Sequence, residues 1–274
     1  RFFRCFITCI ALLLGFTFST AVGQTIGNTT PGTAVTDKMI FDGGRLNGFY
    51  PYRITAGTVD DSGDYAIWSS TATGMLFRYD LANDMLDSYR AYPNVEGIYR
   101  IADSPYANEA YLGVLIGGRA AILRVDLETL ELMETVVLYE AGIRGVHVSE
   151  TTDRLYAVFS STVYEFRLSD LELLSEVSLS FSVLDSEISP DGQYLYMLNN
   201  SSLVRLYRYS TVTQSEVDFI SFNASAGGMT GDVYVSGDGE WIIVEESGCQ
   251  TVVYRVDADT MTEDGWFLPT ECFN

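Results

Sequence analysis

The residues best suited to chemistry are a small set of ionisable side chains that recur ahead of polar turns. General acid–base catalysis, metal binding and polar ligand binding all use side chains of these types. His147 is the only histidine, so any Ser-His-Asp site would need it, and no Gly-x-Ser-x-Gly elbow accompanies it. The candidates are Arg100, Arg144, His147, Asp185, Glu187, Asp232 and Tyr234.

These side chains belong to a repeat whose clearest copy is a polar turn followed by alternating apolar residues. Ser189-Pro190-Asp191-Gly192 is followed by Tyr194–Leu198, and a second strand-like run follows at Val204–Tyr209. Proline presets the turn, glycine supplies a positive φ, and the alternation is typical of a pleated strand. The pattern predicts antiparallel strands joined by tight turns.

Five such units are visible, with a period of roughly 40–47 residues. In each unit a first strand is followed by a polar turn, a second strand, a third strand with a four-residue signature, and a more variable fourth strand. The first strands are predicted to end at Val59, Ile101, Val148, Ile188 and Val235. The third-strand signatures are Phe77-Arg78-Tyr79-Asp80, Leu123-Arg124-Val125-Asp126, Tyr164-Glu165-Phe166-Arg167, Tyr207-Arg208-Tyr209-Ser210 and Tyr254-Arg255-Val256-Asp257.

This repeat predicts an all-β chain, a β-propeller of four-stranded antiparallel blades. The apolar runs Tyr194–Leu198 and Trp241–Val244 indicate sheets covered on both faces, as when blade packs on blade. A sandwich would show cleaner polar/apolar alternation and no such period. The five repeats are consistent with a five-bladed ring or with a fragment of a six- to seven-bladed ring.

The chain resembles the YVTN and lactonase-like β-propeller families over about residues 52–268. Their Ser-Pro-Asp-Gly turn is complete at Ser189–Gly192 and partial at Ser236–Gly239. Their Asp-x-x-Thr turn is matched by Asp126–Thr129 and Asp257–Thr260. The resemblance implies the fold, while the families include lactone hydrolases, dehydrogenase subunits and surface binding proteins. No active-site motif of these families is present.

The amino terminus has the features of a secretory signal peptide. Arg1 and Arg4 precede an apolar segment from Phe6 to Phe18, and Ala21-Val22-Gly23 offers a small-x-small cleavage site. A membrane span is less well supported because the apolar run is too short. We predict a signal peptide at 1–23, a flexible mature amino terminus with one closing strand at 24–51, and the propeller at 52–274.

Cysteines and glycosylation sequons agree with secretion. Cys5 and Cys9 would leave with the signal peptide, and Cys249 and Cys272 would form one disulfide, with two free thiols as the alternative. A zinc site is less favoured, since two cysteines and one histidine do not fill a tetrahedral shell. The N-glycosylation sequons begin at Asn28, Asn199, Asn200 and Asn223.

The charge balance restricts the partners. The chain has 16 Lys and Arg against 37 Asp and Glu, a net charge of −21. Such a surface repels phosphate backbones and anionic lipid, so we expect no nucleic-acid partner and no membrane insertion after signal removal.

If the first strands converge, the candidate side chains would meet at a channel mouth. The favoured interpretation is a non-catalytic secreted module that binds protein or glycan. The alternative is a lactonase- or esterase-like hydrolase using channel carboxylates, with or without a divalent metal. No cofactor is expected, although the acidic turn Asp60–Asp64 leaves calcium or another divalent ion open. Clustering of the carboxylates with His147 would favour the enzyme, and local hydrogen bonding of each would favour binding.

Overall fold

The computed structural model describes residues 54–59, 64–70, 74–83, 85–104, 108–200, 204–222, 230–247 and 252–267. Within them, twenty strands form five antiparallel four-stranded sheets, and each sheet contains four strands that are consecutive in the chain. The predicted all-β fold of propeller blades is therefore confirmed. We number the sheets blade 1 to blade 5 in chain order.

Blades 1 and 2 lie in one compact unit, which ends at Ala141. Blade 1 contains β1 (Ile54–Val59), β2 (Tyr65–Ser70), β3 (Met75–Asp80) and β4 (Met85–Ala91). Blade 2 contains β5 (Val95–Asp103), β6 (Glu109–Ile116), β7 (Arg119–Asp126) and β8 (Leu132–Val137).

Blades 3 to 5 lie in a second compact unit, which begins at Gly142. Blade 3 contains β9 (Gly145–Ser149), β10 (Arg154–Val158), β11 (Thr162–Arg167) and β12 (Leu173–Ser178). Blade 4 contains β13 (Val183–Ile188), β14 (Tyr194–Asn200), β15 (Val204–Ser210) and β16 (Ser215–Phe222). Blade 5 contains β17 (Thr230–Val235), β18 (Trp241–Ser247), β19 (Val252–Asp257) and β20 (Thr262–Phe267).

The repeated turns close through the side chains that the sequence pattern identified. In the turn after β13, Ser189 Oγ donates to Asp191 Oδ1 at 2.6 Å, and Gly192 takes a φ of 74°. In the turn after β7, the backbone N–H and the hydroxyl of Thr129 both donate to Asp126 Oδ1, at 2.7 and 2.8 Å. These bonds satisfy polar groups that would otherwise need water, so each turn is specified locally.

In the part of the chain that the structure describes, three hydrophobic cores lie between neighbouring blades of the same unit. Val158 and Val163 of blade 3 pack with Leu195 and Met197 of blade 4. Blade 4 packs on blade 5 in the same way, and blade 1 packs on blade 2. Central strands are therefore apolar on both faces, which explains their continuous apolar runs.

The fourth strand of every blade has a register irregularity at the same repeat position. The unpaired residues there are Asp87, Met133, Leu174, Val217 and Asp264. Such bulges disturb the hydrogen-bonding edge of a strand and disfavour the addition of another strand.

Several sequence predictions fall outside the described residues. They are the signal peptide, the 24–51 segment, both cysteines of the expected disulfide, and most of the acidic turn at Asp60–Asp64. Among the described residues, no helix has the length and hydropathy needed to cross a bilayer.

Candidate functional site

The first strands of blades 3, 4 and 5 carry most of the predicted site residues. β9 lies against β13, and β13 lies against β17. His147 is on β9, Asp185 and Glu187 are on β13, and Asp232 and Tyr234 are on β17. The neighbouring first strands thus bring side chains from successive blades within contact distance.

His147 makes two polar contacts to blade 4. Its Nε2 lies 2.8 Å from Ser186 Oγ, and its Nδ1 lies 3.4 Å from Glu187 Oε1. Glu187 Oε1 also accepts the backbone N–H of Ile188 at 3.0 Å. A carboxylate can only accept, so it favours the tautomer with the proton on Nδ1, which leaves Nε2 to accept from the serine hydroxyl.

The Ser186–His147 contact is buried. Ser186 is 4% exposed and His147 is 5% exposed. Gly145 lies beside them, and a Cβ at that position would lie 2.1 Å from Ser186 Oγ and 2.3 Å from His147 Nε2. Only glycine therefore allows the two side chains to meet.

Asp185 links blade 4 to blade 5. Its Oδ2 accepts the backbone N–H of Val233 at 3.0 Å, and its residue exposure is 8%. The bond gives a partner to an N–H on the free edge of β17, which unpaired would cost free energy. Asp185 thus holds two blades together.

Blade 5 brings a second carboxylate close to Asp232. Asp232 is opposite Glu245 in the β17–β18 pair, and the Tyr234 hydroxyl lies 3.4 Å from Asp232 Oδ2. Burial raises the pKa of the Glu245 carboxyl, and the Asp232 charge raises that pKa further. Two like charges across a strand pair destabilise one another.

The two arginines of the predicted set have backbone contacts of their own. Arg100 is on β5 of blade 2, and its Nη1 donates to the carbonyl of Tyr99 at 3.0 Å. Arg144 directly precedes β9, and its backbone N–H donates to the carbonyl of Val158 at 2.7 Å. Within the predicted set, His147 contacts Glu187 and Tyr234 contacts Asp232.

No three His, Cys, Asp or Glu side chains among the described residues are grouped so that they could hold a metal ion. The carboxylates of β13 instead contact a backbone N–H or an imidazole.

Sequence reasoning missed Ser186, Gly145 and Glu245. A signal for Ser186 was available, because valine occupies its repeat position in blades 3 and 5, at Val146 and Val233. A hydroxyl at an otherwise apolar repeat position needs a partner when buried. Gly145 and Glu245 become informative only when neighbouring strands are in place.

Two of the sequons begin on a strand of blade 4. The sequence pattern ended this strand at Leu198, but β14 continues through Asn199 and Asn200. Asn199 is 3% exposed and its Nδ2 donates to the carbonyl of Ser182 at 2.6 Å. Asn28 and Asn223 lie outside the described residues.

A row of aromatic rings leads to the outer strand of blade 4. The Phe181 and Tyr207 rings stack with centroids 3.7 Å apart, and the Phe219 ring lies 5.4 Å from Tyr207. The Arg205 guanidinium lies over Phe219, 5.1 Å from its centroid, and Arg205 Nη1 donates to the Tyr207 hydroxyl at 3.3 Å. Phe219 is 48% exposed. We call these three rings with Arg205 the blade 4 aromatic row.

Comparison with solved structures identifies the same fold elsewhere. A hydrazine synthase chain from Kuenenia stuttgartiensis aligns with a TM-score of 0.68 and 14% sequence identity, over 84% of this chain and 71% of that chain. In all, 1658 chains of known structure match, so the likeness shows a widespread fold and does not indicate a function. No family model matches the sequence, and no curated protein matches it.

Proposed function

We propose that this chain is a secreted or cell-surface β-propeller that binds a protein or glycan ligand. The observation that carries the proposal is that predicted site residues contact the neighbouring blade. Asp185 accepts a backbone N–H of the next blade, and His147 contacts two residues of the next blade. These side chains contact the next blade, and we place the ligand on the exposed surface of the blades.

The blade 4 aromatic row is the surface best suited to a ligand. Phe219 is half-exposed yet held by Tyr207 on one side and Arg205 on its face. Aromatic and arginine side chains that are already immobilised lose little entropy on binding, and such residues dominate binding hot spots. A flat exposed ring also suits stacking on the apolar face of a sugar.

Paired variants test this surface. We expect Phe219→Ser to abolish binding detected on a glycan array or to a purified extracellular ligand. Val217→Ser serves as the matched control, because Val217 is 49% exposed on the same strand but is not part of the row. Equal binding by both variants would show that the ligand site lies elsewhere.

Secretion is the second part of the proposal. It is supported by the charged and apolar pattern of residues 1–23, the sequons at Asn28, Asn200 and Asn223, and the Cys249–Cys272 pair. Expression with the native leader should yield an extracellular product that begins near Gln24. Peptide mapping without reductant should recover Cys249 linked to Cys272, and two free thiols would contradict the disulfide.

Assignment to the YVTN or lactonase-like group is supported by the turn motifs alone. A metal-assisted hydrolase remains the second interpretation from the sequence, and lactone turnover that chelation abolishes would favour it over ligand binding. The acidic surface, with its net charge of −21, supports partners other than nucleic acid.

A further inference from the structure

We propose that Ser186, His147 and Glu187 form a metal-independent nucleophile site that reacts with small acyl esters. The proposal goes beyond ligand binding and uses different residues from the blade 4 aromatic row. It rests on the order of contacts around one imidazole. The hydroxyl is at Nε2, at 2.8 Å, and the carboxylate is near Nδ1, at 3.4 Å.

A hydroxyl at one ring nitrogen and a carboxylate at the other is the arrangement that nucleophile activation uses. With the Nδ1 proton directed toward Glu187, Nε2 carries the lone pair and can take the Ser186 proton as the oxygen attacks. The carboxylate then stabilises the imidazolium that forms. If the hydroxyl and the carboxylate were not on opposite ring nitrogens, no group would hold the ring proton away from the serine.

The site is assembled from two blades and depends on one glycine. Ser186 and Glu187 are consecutive on β13, whereas His147 and Gly145 are on β9. Because a Cβ on residue 145 would overlap both Ser186 Oγ and His147 Nε2, glycine is the residue that lets the pair form. The Glu187 side chain is 21% exposed while Ser186 and His147 are nearly buried, so the nucleophile is recessed and suits a slim electrophile.

The reaction balances with water as the only co-reactant. Ser186 Oγ bonds to the ester carbonyl carbon, its proton passes to His147 Nε2, and the bond to the leaving alcohol breaks as that oxygen takes the proton. Water then adds to the acyl-serine, giving its proton to Nε2. The carbon–Oγ bond breaks, Oγ is reprotonated, and a carboxylic acid is released. In this scheme Ser186 and His147 are catalytic, and Glu187 is a positioning residue.

An alkyl fluorophosphonate tests the nucleophile directly, since Oγ displaces fluoride from phosphorus and stays labelled. Labelling of the purified full chain should map to Ser186 by peptide mass spectrometry, and EDTA should not change it. We expect Ser186→Ala and His147→Gln to lower the labelling rate at least 100-fold. Gly145→Ala should lower it at least tenfold without removing any reactive atom.

The control serine lies on the same strand as His147. Ser149 is 2% exposed and contacts Thr151 and Thr152 rather than the imidazole, so Ser149→Ala should keep labelling within twofold of the parent. Glu187→Gln should slow labelling about tenfold and alter its pH profile, which a purely structural role would not do. Thermal melts establish that each variant is folded.

The results separate this proposal from the binding function. A folded parent chain that is not labelled, or labelling that persists in Ser186→Ala, overturns the nucleophile site and leaves ligand binding untouched. Loss of ligand binding in Phe219→Ser with intact labelling concerns only the blade 4 aromatic row.

Discussion

Glu165 of blade 3 accepts a hydrogen bond from Gln214 Nε2 of blade 4 at 2.6 Å. At the same repeat position blades 1 and 4 carry arginines, which donate to the next blade: Arg78 to the carbonyl of Glu128, and Arg208 to that of Ala258. At Glu165 the direction of the hydrogen bond between blades is therefore reversed, because this residue accepts where the arginines donate. Arg154 on the second strand compensates, with Nε 2.8 Å from Glu165 Oε1.

This contact predicts that substitutions at Glu165 and Gln214 have coupled effects on the free energy of unfolding. Leu130, Leu171 and Met261 occupy the repeat position of Gln214, each with positive φ, so Gln214→Leu should keep the turn and lose only the bonds from Nε2 to Glu165 and Ser175. We expect it to cost about 1 kcal/mol in free energy of unfolding. Glu165→Ala should cost about 3 kcal/mol, because Arg154, Ser175 and Gln214 all lose their bond to this carboxylate.

Urea unfolding of the double variant measures the coupling. Once Glu165 is absent, Gln214→Leu should add little, so the double variant should cost less than the two single changes together. Strict additivity would contradict a direct contact.

Asp185 provides a second test of the contacts between blades. Asp185→Ala should lower the free energy of unfolding by about 1–3 kcal/mol, because the Val233 N–H loses its acceptor in a buried setting. Asp185→Asn keeps an oxygen at that position and should cost less. Thermal denaturation of the two variants compares them, and a larger loss in the asparagine variant would argue for a charge effect instead.

Alanine substitutions at Gly192 and Gly118 distinguish the cost of backbone strain from the cost of steric crowding. Both have a φ of 74°, but a Cβ on Gly192 would lie 1.9 Å from Ser149 Oγ, whereas nothing lies within 4 Å of one on Gly118. Gly118→Ala should therefore cost only the left-handed strain of about 1–2 kcal/mol. Gly192→Ala should cost markedly more, since blade 3 must also shift. Equal losses in urea unfolding would show that Ser149 moves away freely.

Glu245 predicts a dependence of stability on pH. Its pKa is raised in the folded chain, by burial first and by Asp232 second, so the folded state holds this proton more tightly than the unfolded state does. The free energy of unfolding should therefore fall as pH rises from the usual glutamate range through the raised pKa.

Glu245→Gln removes this destabilisation. The variant should be more stable than the parent at pH 7, and its advantage should shrink as pH falls toward 4. Glu240→Gln, at an exposed position, provides the control and should show little pH-dependent difference from the parent. Chemical unfolding at several pH values measures the effect, and an advantage that grows on acidification would reverse the assignment.

The sequence by itself determined the blades. The repeated turns are specified by residues close together in the chain. Ser189 bonds to Asp191, and Thr129 bonds to Asp126. Alternating apolar residues then specify which strands are buried, and this was sufficient to predict five four-stranded antiparallel sheets. The strand ends deviated by a few residues where no turn residue fixes them, as in β14, which continues through Asn199 and Asn200.

Only the tertiary structure decided which side chains meet. His147 and Ser186 are 39 positions apart, and their 2.8 Å contact exists because β9 lies against β13 and because residue 145 has no Cβ. Asp185 looked like a channel carboxylate, yet its oxygen is used by a backbone N–H of the next blade. Contacts of this kind depend on how neighbouring sheets pack, and a strand pattern specifies the face on which a side chain lies but not its partner across the interface.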